Sequence, residues 1–229
     1  MALFVIGDTH LSEGVDKPMD VFGGNWENYT QKLCDNWKKT VGEKDTVIIA
    51  GDVSWGMSLD EALADFKLID SLPGKKLIVK GNHDYWWDTV TKMKRFFNEN
   101  GITTVDFIFN SAVSVDGISV CGTRGWMLES MSAKQEDKVI IAREAGRLRR
   151  SLECADPENE RIVVMHYPPV FDSNTAQEFI DIMQEFGVKR CYYGHLHSAS
   201  IRKADVGEHF GINFYLVSAD AIDFSPINI

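Results

Sequence analysis

Five short polar blocks in the sequence combine carboxylate, imidazole and amide side chains, the ligand types that hold divalent metal ions. In chain order, the blocks are Asp8-Thr9-His10, Gly51-Asp52, Gly81-Asn82-His83-Asp84, His166 and Gly194-His195-Leu196-His197. No block contains a cysteine, which favours Mn²⁺, Fe or Zn²⁺ in an open catalytic site over a closed structural zinc site. The sequence therefore predicts a metal centre that performs chemistry.

Spacing within two of the blocks predicts how their side chains converge. Asp8 and His10 are separated by one residue, as are His195 and His197. On an extended backbone, side chains at this spacing project to the same side, roughly 7 Å apart at ~3.3 Å per residue. Such pairs can therefore converge on metal, with the intervening residue pointing away.

Each block also has an ordinary structural explanation when it is considered alone. Asp8 fits a turn, Asn82 fits a loop, and a single histidine is often a satisfied core or surface group. The blocks share one position, however, because each follows a strand-like run. Open α/β sheets place their sites beyond the carboxyl ends of strands, so the combination favours a functional site.

Apolar, β-branched runs and amphipathic stretches predict the elements that position these blocks. The predicted buried strands are residues 3–6, 46–50, 76–79, 161–165, 190–193 and 213–217. The first predicted helix has one apolar face, formed by Trp26, Tyr29, Leu33, Trp37 and Val41. Further helices are predicted from a Ser58/Glu61 capping box, over 85–98, over 133–154, and over 175–186 behind a Thr175/Glu178 box.

Charge and length exclude several classes of protein. The chain has 229 residues, with 24 Lys and Arg against 34 Asp and Glu, and its net charge of −10 disfavours bulk nucleic acid and anionic membranes as partners. The first apolar run lacks a basic flank and is too short for a signal peptide, and no stretch reaches bilayer length. With four widely spaced cysteines, we expect reduced thiols, a cytoplasmic location, and one domain over 1–229 with an insertion around 124–152.

The ordered blocks resemble the signature of the calcineurin-like metallophosphoesterases, D-x-H, G-D, G-N-H-[DE], H and G-H-x-H, and the chain is similar to the bacterial predicted phosphohydrolases of that superfamily. The match spans residues 8–197. The resemblance implies an α/β fold, an α/β/β/α sandwich of two mixed sheets flanked by helices. It also implies a dinuclear site that uses a bridging hydroxide to hydrolyse a small phosphomonoester, phosphodiester or nucleotide.

Carried over position by position, the resemblance assigns a ligand set to each of two divalent ions. The first set is Asp8, His10, Asp52 and His197, and the second is Asp52, Asn82, His166 and His195. Asp52 would then bridge the two ions through its two carboxylate oxygens. Mn and Fe are the favoured metals, with Zn as an alternative.

Three further residues are predicted to act on the substrate. His83 is left without a metal and is expected to serve as an acid or as electrostatic help near the leaving group, with Asp84 orienting it or a metal ligand. Arg124, flanked by Gly125 after a predicted strand, could grip a phosphate, or it could be a solvated loop arginine. The second block lacks the second aspartate and the arginine of the protein Ser/Thr phosphatase motif G-D-x-x-D-R-G, which disfavours protein phosphatase activity.

Other interpretations stay open at the level of sequence. Aromatic residues beside the blocks could stack on a base or belong to the core: Trp55, Tyr85, Trp86 and Trp87. Charged residues of the 133–154 helix, such as Glu144 and Arg147, are interpreted as a solvated face. Besides a small phosphorylated substrate, the alternatives are a non-catalytic metal-binding scaffold and a nuclease, the latter disfavoured by the net charge. Oligomeric state is not predicted.

Overall fold

Strands and helices alternate along the computed structural model, which describes residues 1–128 and 134–229. The strands are β1 (Leu3–Ile6), β2 (Thr46–Ile49), β3 (Lys75–Val79), β4 (Val105–Ile108), β5 (Ala112–Val115), β6 (Ile118–Thr123), β7 (Glu160–Met165), β8 (Val170–Phe171), β9 (Asn174–Thr175), β10 (Arg190–Tyr193), β11 (Gly207–His209), β12 (Ile212–Leu216) and β13 (Ile227–Asn228). The helices are α1 (Tyr29–Thr40), α2 (Leu63–Ser71), α3 (Val90–Glu99), α4 (Gln135–Glu153) and α5 (Gln177–Glu185). Short 3₁₀ helices occupy Met19–Phe22, Gly24–Trp26, Ser198–Lys203 and Ala219–Ala221.

The strands form two large mixed sheets. The first has the order β13-β1-β2-β3-β4, and the second has the order β11-β12-β10-β7-β6-β5. Within the first sheet β1 to β4 are parallel and β13 is antiparallel, while in the second sheet β12, β10, β7 and β6 are parallel and the two edge strands are antiparallel. The carboxyl ends of the parallel strands in each sheet therefore lie together at one edge of that sheet.

Successive residues of the central strands pack into different layers because side chains alternate across a sheet. In β1, Phe4 and Ile6 join the cluster that also holds Trp37 of α1, whereas Leu3 and Val5 face the cluster between the sheets. In β7, residues 162 and 164 join the same central cluster, while residues 163 and 165 pack with α4 and α5. The predicted α/β/β/α sandwich of two mixed sheets is confirmed, and all six predicted strands are present within a residue or two.

The second predicted helix begins later than its capping box indicates. The Ser58 hydroxyl accepts from the Glu61 backbone N–H at 3.3 Å, but the Glu61 carboxylate accepts from Met57 N–H at 2.8 Å instead of closing the box. Residues 59–62 form a turn, and α2 begins at Leu63. The capping signal was correct in location but marks a turn before the helix.

Two other helix starts also differ from the sequence prediction. α3 begins at Val90 because Thr89, with extended backbone, caps it and accepts from Lys92 N–H at 3.4 Å. α5 begins at Gln177 with no side-chain cap, and Thr175 pairs in β9 instead of forming a box. For α4 the prediction of 133–154 is confirmed over Gln135–Glu153, while residue 133 lies outside the described residues.

The charged face of α4 is not wholly solvated, so that interpretation is wrong for Glu144. This side chain is fully buried and accepts from Thr123 Oγ1 at 2.8 Å and from the Arg147 guanidinium at 2.7 Å. The reason is packing, because α4 contacts β6 along its length and its apolar residues Ile141 and Leu148 lie in the core. The single domain and the insertion around 124–152 stay predictions.

None of the helices among the described residues is both long enough and apolar enough to cross a membrane.

Candidate metal centre

The polar blocks leave their strands through left-handed backbone turns, not through the extended backbone that the spacing suggested. Asp8, His10, Asp52 and His195 have φ angles of 57°, 44°, 50° and 73°. His197, with φ of −124° and ψ of 156°, is the extended exception. The side chains of Asp8 and His10 converge because the chain curls around them, so the expected convergence holds for this pair although its expected cause was wrong. His195 and His197 do not join one group of ligand atoms among the described residues.

Two glycines let the carboxylates lie tightly against neighbouring strand ends. A Cβ on Gly194 would overlap Asp8 Oδ2, and a Cβ on Gly81 would overlap Asp52 Oδ1 and Asp52 N. Asp8 Oδ2 instead accepts from the His195 backbone N–H at 2.9 Å. Glycine at these two strand ends therefore permits a close backbone approach.

Asp8, His10 and His197 form one group of side chains that could hold a metal ion. His197 Nε2 lies 3.4 Å from Asp8 Oδ1 and 3.4 Å from His10 Nε2. Asp8 and His10 are buried, and His197 is partly exposed. The predicted first ligand set is thus brought together, and Asp52 Oδ2 lies 3.8 Å from His10 Nε2 at its side.

Asp8, Asp52 and His166 form a second, overlapping group. The His166 Nδ1–H donates to Ala50 O at 3.0 Å, which leaves the Nε2 lone pair facing Asp52 Oδ2 at 3.5 Å and Asn82 Oδ1 at 2.6 Å. Asp52 therefore lies between histidines of both groups. Its role as a bridging ligand stays a prediction.

The donor set fits divalent cations better than it fits its own internal contacts. Asp8 Oδ1 and His10 Nδ1 are buried and have no hydrogen-bond partner within residues 1–128 and 134–229. At His166, an imidazole lone pair, an amide oxygen and a carboxylate oxygen face one another, and all three are acceptors. Buried acceptors without donors are costly unless a cation satisfies them, so these residues fit metal ions.

His195 belongs to neither group of clustered ligand atoms within the described residues. Its ring centroid lies 4.2 Å from that of Tyr167 and 5.1 Å from that of His166. The His195 backbone, in contrast, is fixed by its hydrogen bond to Asp8. His195 is adjacent to the second group, and its role as a ligand stays a prediction.

The histidines differ in their affinity for a proton. Burial lowers the pKa of His10 and of His166, and it lowers the pKa of His195 to about 3, so these rings are neutral. Burial also disfavours a charge on His197, but the carboxylates of Asp8 and Asp220 outweigh it and raise the pKa of His197 to about 10. A metal at Asp8, His10 and His197 therefore has to displace one proton from His197.

Asp220 orients His197. The His197 Nδ1–H donates to Asp220 Oδ1 at 2.8 Å, and Asp220 Oδ2 accepts from the Ser198 backbone N–H at 3.0 Å. A carboxylate on one ring nitrogen directs the other nitrogen towards a metal and raises its basicity. Asp220 was not predicted from the sequence because it lies in no block. Its only signal is an acidic residue shortly after the strand-like run 213–217.

Asp84 fixes the loops that carry Asp52 and Asn82. Its carboxylate is buried and accepts from the backbone N–H groups of Asp52, Val53 and Gly81 at 3.0, 2.9 and 2.7 Å, and from the Trp86 indole N–H at 3.1 Å. Burial and the charge of Asp52 raise the pKa of Asp84 to about 7. These contacts are those of a positioning residue, and the predicted catalytic role stays untested.

His83 is half-buried beside the centre and outside both ligand groups. Its backbone N–H donates to Asp52 Oδ1 at 2.7 Å, and its ring lies 4.6 Å from Trp55 and 5.8 Å from His10 between centroids. Burial lowers the pKa of His83. The ring is close to the ligands without joining either group, and its role near the leaving group stays a prediction.

The aromatic residues beside the blocks divide between core and site. Trp86 is buried and bonded to Asp84, and Trp87 packs on Phe107 with centroids 5.2 Å apart. Trp55 stacks on His10 at 4.7 Å, and Tyr85 is exposed beside His83. The core interpretation is therefore correct for Trp86, whereas Trp55 lines the metal centre.

Arg124 lies at the carboxyl end of β6, on the side of the centre that carries His195. Its guanidinium lies 5.4 Å from the Trp126 ring and 5.9 Å from the Tyr167 ring, and its terminal nitrogen is 3.8 Å from Glu144 Oε1. With 19% of its side chain exposed, Arg124 is not a freely solvated loop residue. Its binding of substrate stays a prediction.

A sequence model of the calcineurin-like phosphoesterase family matches residues 1–199. Among curated proteins, a metallophosphoesterase 1 homolog of Caenorhabditis elegans is 23% identical over 202 residues, which are 82% of this chain and 51% of that protein. An uncharacterized protein of Methanocaldococcus jannaschii is 30% identical over 83 residues, 36% of this chain and 46% of that protein. The chain thus spans about half the length of the curated relatives it matches.

Solved structures share the same fold. A phosphopantetheinyl hydrolase from Mycobacterium tuberculosis aligns with a TM-score of 0.58 at 18% identity, over 95% of this chain and 88% of that one. A protein of unknown function from Aquifex aeolicus aligns with a TM-score of 0.53 at 15% identity, over 99% and 95% of the two chains. At these identities the likeness concerns the fold alone.

Proposed function

Because the chain belongs to the calcineurin-like phosphoesterase family, we propose that it hydrolyses a small phosphomonoester, phosphodiester or nucleotide with the help of two divalent metal ions. One observation carries this proposal. Two groups of ligand atoms overlap at the buried carboxylate of Asp8, whose Oδ1 has no hydrogen-bond partner within the described residues, and Asp52 of the second group lies 3.8 Å from His10 Nε2 of the first. A pair of metal ions satisfies this arrangement better than protons do.

We assign the first ion to Asp8, His10, Asp52 and His197, and the second to Asp52, Asn82, His166 and His195. Mn or Fe suits this nitrogen and oxygen set, and Zn is the alternative. When bound, two such ions lower the pKa of a water molecule and stabilise the charge on the phosphoryl oxygens. Asp8 and Asp52 contribute two negative charges, so a dinuclear centre keeps net positive charge for a phosphate.

The protein's own groups supply orientation and a proton. Asp84 holds the Gly51–Asp52 and Gly81–His83 loops in register through three backbone N–H groups. His83, held by its backbone to Asp52, presents a half-buried ring that can donate a proton to the leaving oxygen or stabilise its charge. Trp55 covers His10 and excludes water from that face.

A metal-resolved substrate panel tests this function. The protein is stripped with chelator, reloaded with Mn²⁺, Fe²⁺ or Zn²⁺, and assayed against an aryl phosphate, an aryl phosphodiester, cyclic nucleotides and nucleoside diphosphate compounds. Elemental analysis of the reloaded protein is expected to give two ions per chain. One ion at most after Mn²⁺ reconstitution would contradict the dinuclear centre.

The rival functions give different results in the same experiment. Two bound ions with no turnover of any substrate would indicate a non-catalytic scaffold. Salt-dependent binding to DNA or RNA followed by cleavage would indicate a nuclease.

A further inference from the structure

A narrow cleft between the two sheets collects positive side chains next to the candidate metal centre. Lys80 at the end of β3, Arg124 at the end of β6 and Arg147 of α4 line it together with Glu144. Lys80, Arg124 and Arg147 are all partly buried, and the Arg124 Nε is fully buried without a hydrogen-bond partner in residues 1–128 and 134–229. The cleft is therefore a place where cationic groups are withdrawn from bulk water.

Glu144 is the carboxylate that lines this cleft together with Lys80, Arg124 and Arg147. Glu144 accepts from Arg147 at 2.7 Å and lies 3.8 Å from the Arg124 terminal nitrogen. The Lys80 side chain makes no hydrogen bond or ion pair within the described parts of the chain, and the charges that act on it are those of Arg124, Asp84, Arg147 and Glu144. The cleft thus carries two positive charges in excess, although the chain as a whole has a net charge of −10. Partly buried charges of one sign are costly unless an anion joins them.

The cleft lies beside the second ligand group. Lys80 precedes Asn82 by two residues, and the Arg124 carbonyl accepts from the Tyr167 backbone N–H at 2.9 Å. The Tyr167 ring in turn lies against His195, with centroids 4.2 Å apart. A ligand bound near Asn82 and His195 can therefore extend towards Lys80 and Arg124.

We propose that Lys80, Arg124 and Arg147 bind a second phosphate of the substrate, so that the substrate class is a compound with two phosphoryl groups, one of them hydrolysed at the metal centre. This inference rests on the proposed hydrolase function. Guanidinium groups match phosphate oxygens in bidentate geometry, and the lysine adds a point charge. Glu144 fixes the arginines without neutralising the cleft.

Binding to metal-free protein tests the cleft separately from catalysis. In chelator-treated protein, inorganic phosphate is titrated by calorimetry into the wild type, Lys80→Met, Lys80→Arg and Arg143→Met. Arg143 contacts the same Glu144 carboxylate at 3.3 Å but is about half exposed and does not line the cleft, which makes it the matched control. We expect Lys80→Met to weaken phosphate binding about 10- to 100-fold, the size of a lost charge-assisted hydrogen bond, while Lys80→Arg and Arg143→Met retain it.

Competition in the metal-loaded enzyme tests the substrate class. Hydrolysis of p-nitrophenyl phosphate is inhibited with either inorganic phosphate or methylenediphosphonate, and the ratio of the two inhibition constants is measured. In the wild type and Arg143→Met, the inhibition constant is expected to be lower for the diphosphonate than for inorganic phosphate. In Lys80→Met, we expect this difference to disappear. The proposed phosphate site would be overturned if the wild type and Lys80→Met gave equal ratios of inhibition constants, or if Lys80→Met left phosphate binding unchanged.

The two proposals fail in different ways. If no phosphoester is hydrolysed but phosphate binding depends on Lys80, the hydrolase function fails and the anion site is supported. If p-nitrophenyl phosphate is hydrolysed with no effect of Lys80 on either measurement, the hydrolase function is supported and the anion site is overturned. Circular dichroism of each variant confirms that the fold is retained before these results are compared.

Discussion

The two sheets hold their parts of the candidate centre in different ways. On the first sheet, Asp52 and the Asn82–His83 segment are fixed through backbone N–H groups that converge on Asp84. On the second sheet, each ring has its own support, with His166 bonded to Ala50 O and His197 bonded to Asp220. The Asp52 and Gly81 loops of the first sheet are thus tied to one carboxylate, whereas His166 and His197 of the second sheet each have a separate support. Removing a support should affect the two sides differently.

The largest expected effects come from one ligand on each side. Asp52→Asn and His166→Ala are expected to abolish phosphoester hydrolysis while the fold survives, because the apolar layers do not depend on metal. Turnover and bound metal are measured at saturating Mn²⁺. Asp60→Asn and His209→Ala, outside the centre, are the matched controls and should match the wild type. Wild-type turnover in either ligand variant would remove that residue from the ligand set.

The next effect concerns His83, which contacts the first side but belongs to neither ligand group. His83→Ala is expected to lower kcat about 10²- to 10⁴-fold with metal content unchanged. The loss should shrink for substrates whose leaving group is nitrophenolate, because such a group needs no proton. Equal losses for good and poor leaving groups would indicate stabilisation of the phosphoryl oxygens, and loss of metal would make His83 a ligand or its support.

Asp220 tests the independence of the second side. Asp220→Asn removes the carboxylate from His197 Nδ1 and is expected to weaken metal binding about 10- to 100-fold with little change in the free energy of unfolding of the metal-free protein. Competition with a chromogenic chelator measures the affinity. If both ions were lost together with the fold, the second side would not be independently supported.

Asp84 gives the contrasting result for the first side. Asp84→Asn turns an amide N–H towards buried N–H donors, which leaves at least one of them unpaired at a cost of about 1–3 kcal/mol each. We expect a lower free energy of unfolding in the metal-free protein as well as weaker metal binding, measured by urea unfolding and by the same chelator competition. Equal free energies of unfolding for this variant and the wild type would show that the hydrogen bonds of Asp84 do not hold the two loops together.

An effect on stability that depends on pH arises next to the first side, at Asp65. This buried carboxylate on α2 accepts from Glu13 N–H at 2.7 Å and from the Ser54 hydroxyl, and burial raises the pKa of Asp65 from 3.8 to about 6. The folded state therefore binds this proton more tightly than the unfolded state does. The contribution of Asp65 to stability is complete below pH 4 and is lost as the pH rises to about 6, by about 2–3 kcal/mol.

Asp65→Asn removes this titration. The difference in the free energy of unfolding between the variant and the wild type should grow in favour of the variant from pH 4 to pH 7, measured by urea unfolding of chelator-treated protein. Asp60→Asn, an exposed acid on the preceding turn, is the control and should show a much flatter difference. A flat difference for Asp65→Asn as well would contradict the raised pKa.

The sequence could predict the strands and the ligand blocks for a physical reason. Strands buried on both faces appear as continuous apolar runs, as 3–6 and 161–165 do, and the ligands follow them directly. Helix starts were less predictable, because Ser58 and Thr175 have capping side chains whose partners depend on the folded backbone. The left-handed turns at Asp8 and Asp52 were not predicted because spacing alone does not report the sign of φ.

Residues that act across the fold were the hardest to predict. Asp220 meets His197 from another loop, and Glu144 meets Thr123 from another element, so neither pairing has a local signal. Lys80 has no signal in the sequence, and only the folded chain brings it into the same cleft as Arg124. Metal ligands occur in blocks of adjacent residues and can be predicted from them. The residues that orient these ligands or balance their charge are distant in sequence and are brought close only by packing.

The left-handed turns at the metal blocks restrict which residue types each position accepts, in addition to the need for a ligand atom. Only glycine adopts positive φ freely, while asparagine, aspartate and histidine tolerate it better than other residues do. In a mutational library at Asp8, His10, Asp52 or His195, alanine would strain the positive-φ backbone and also lose the ligand atom, whereas glutamate would strain the backbone although it offers a carboxylate. Asparagine at Asp8 or Asp52 keeps the turn and changes only the ligand, so amide substitutions are the variants from which coordination can be read without interference from the chain's own geometry.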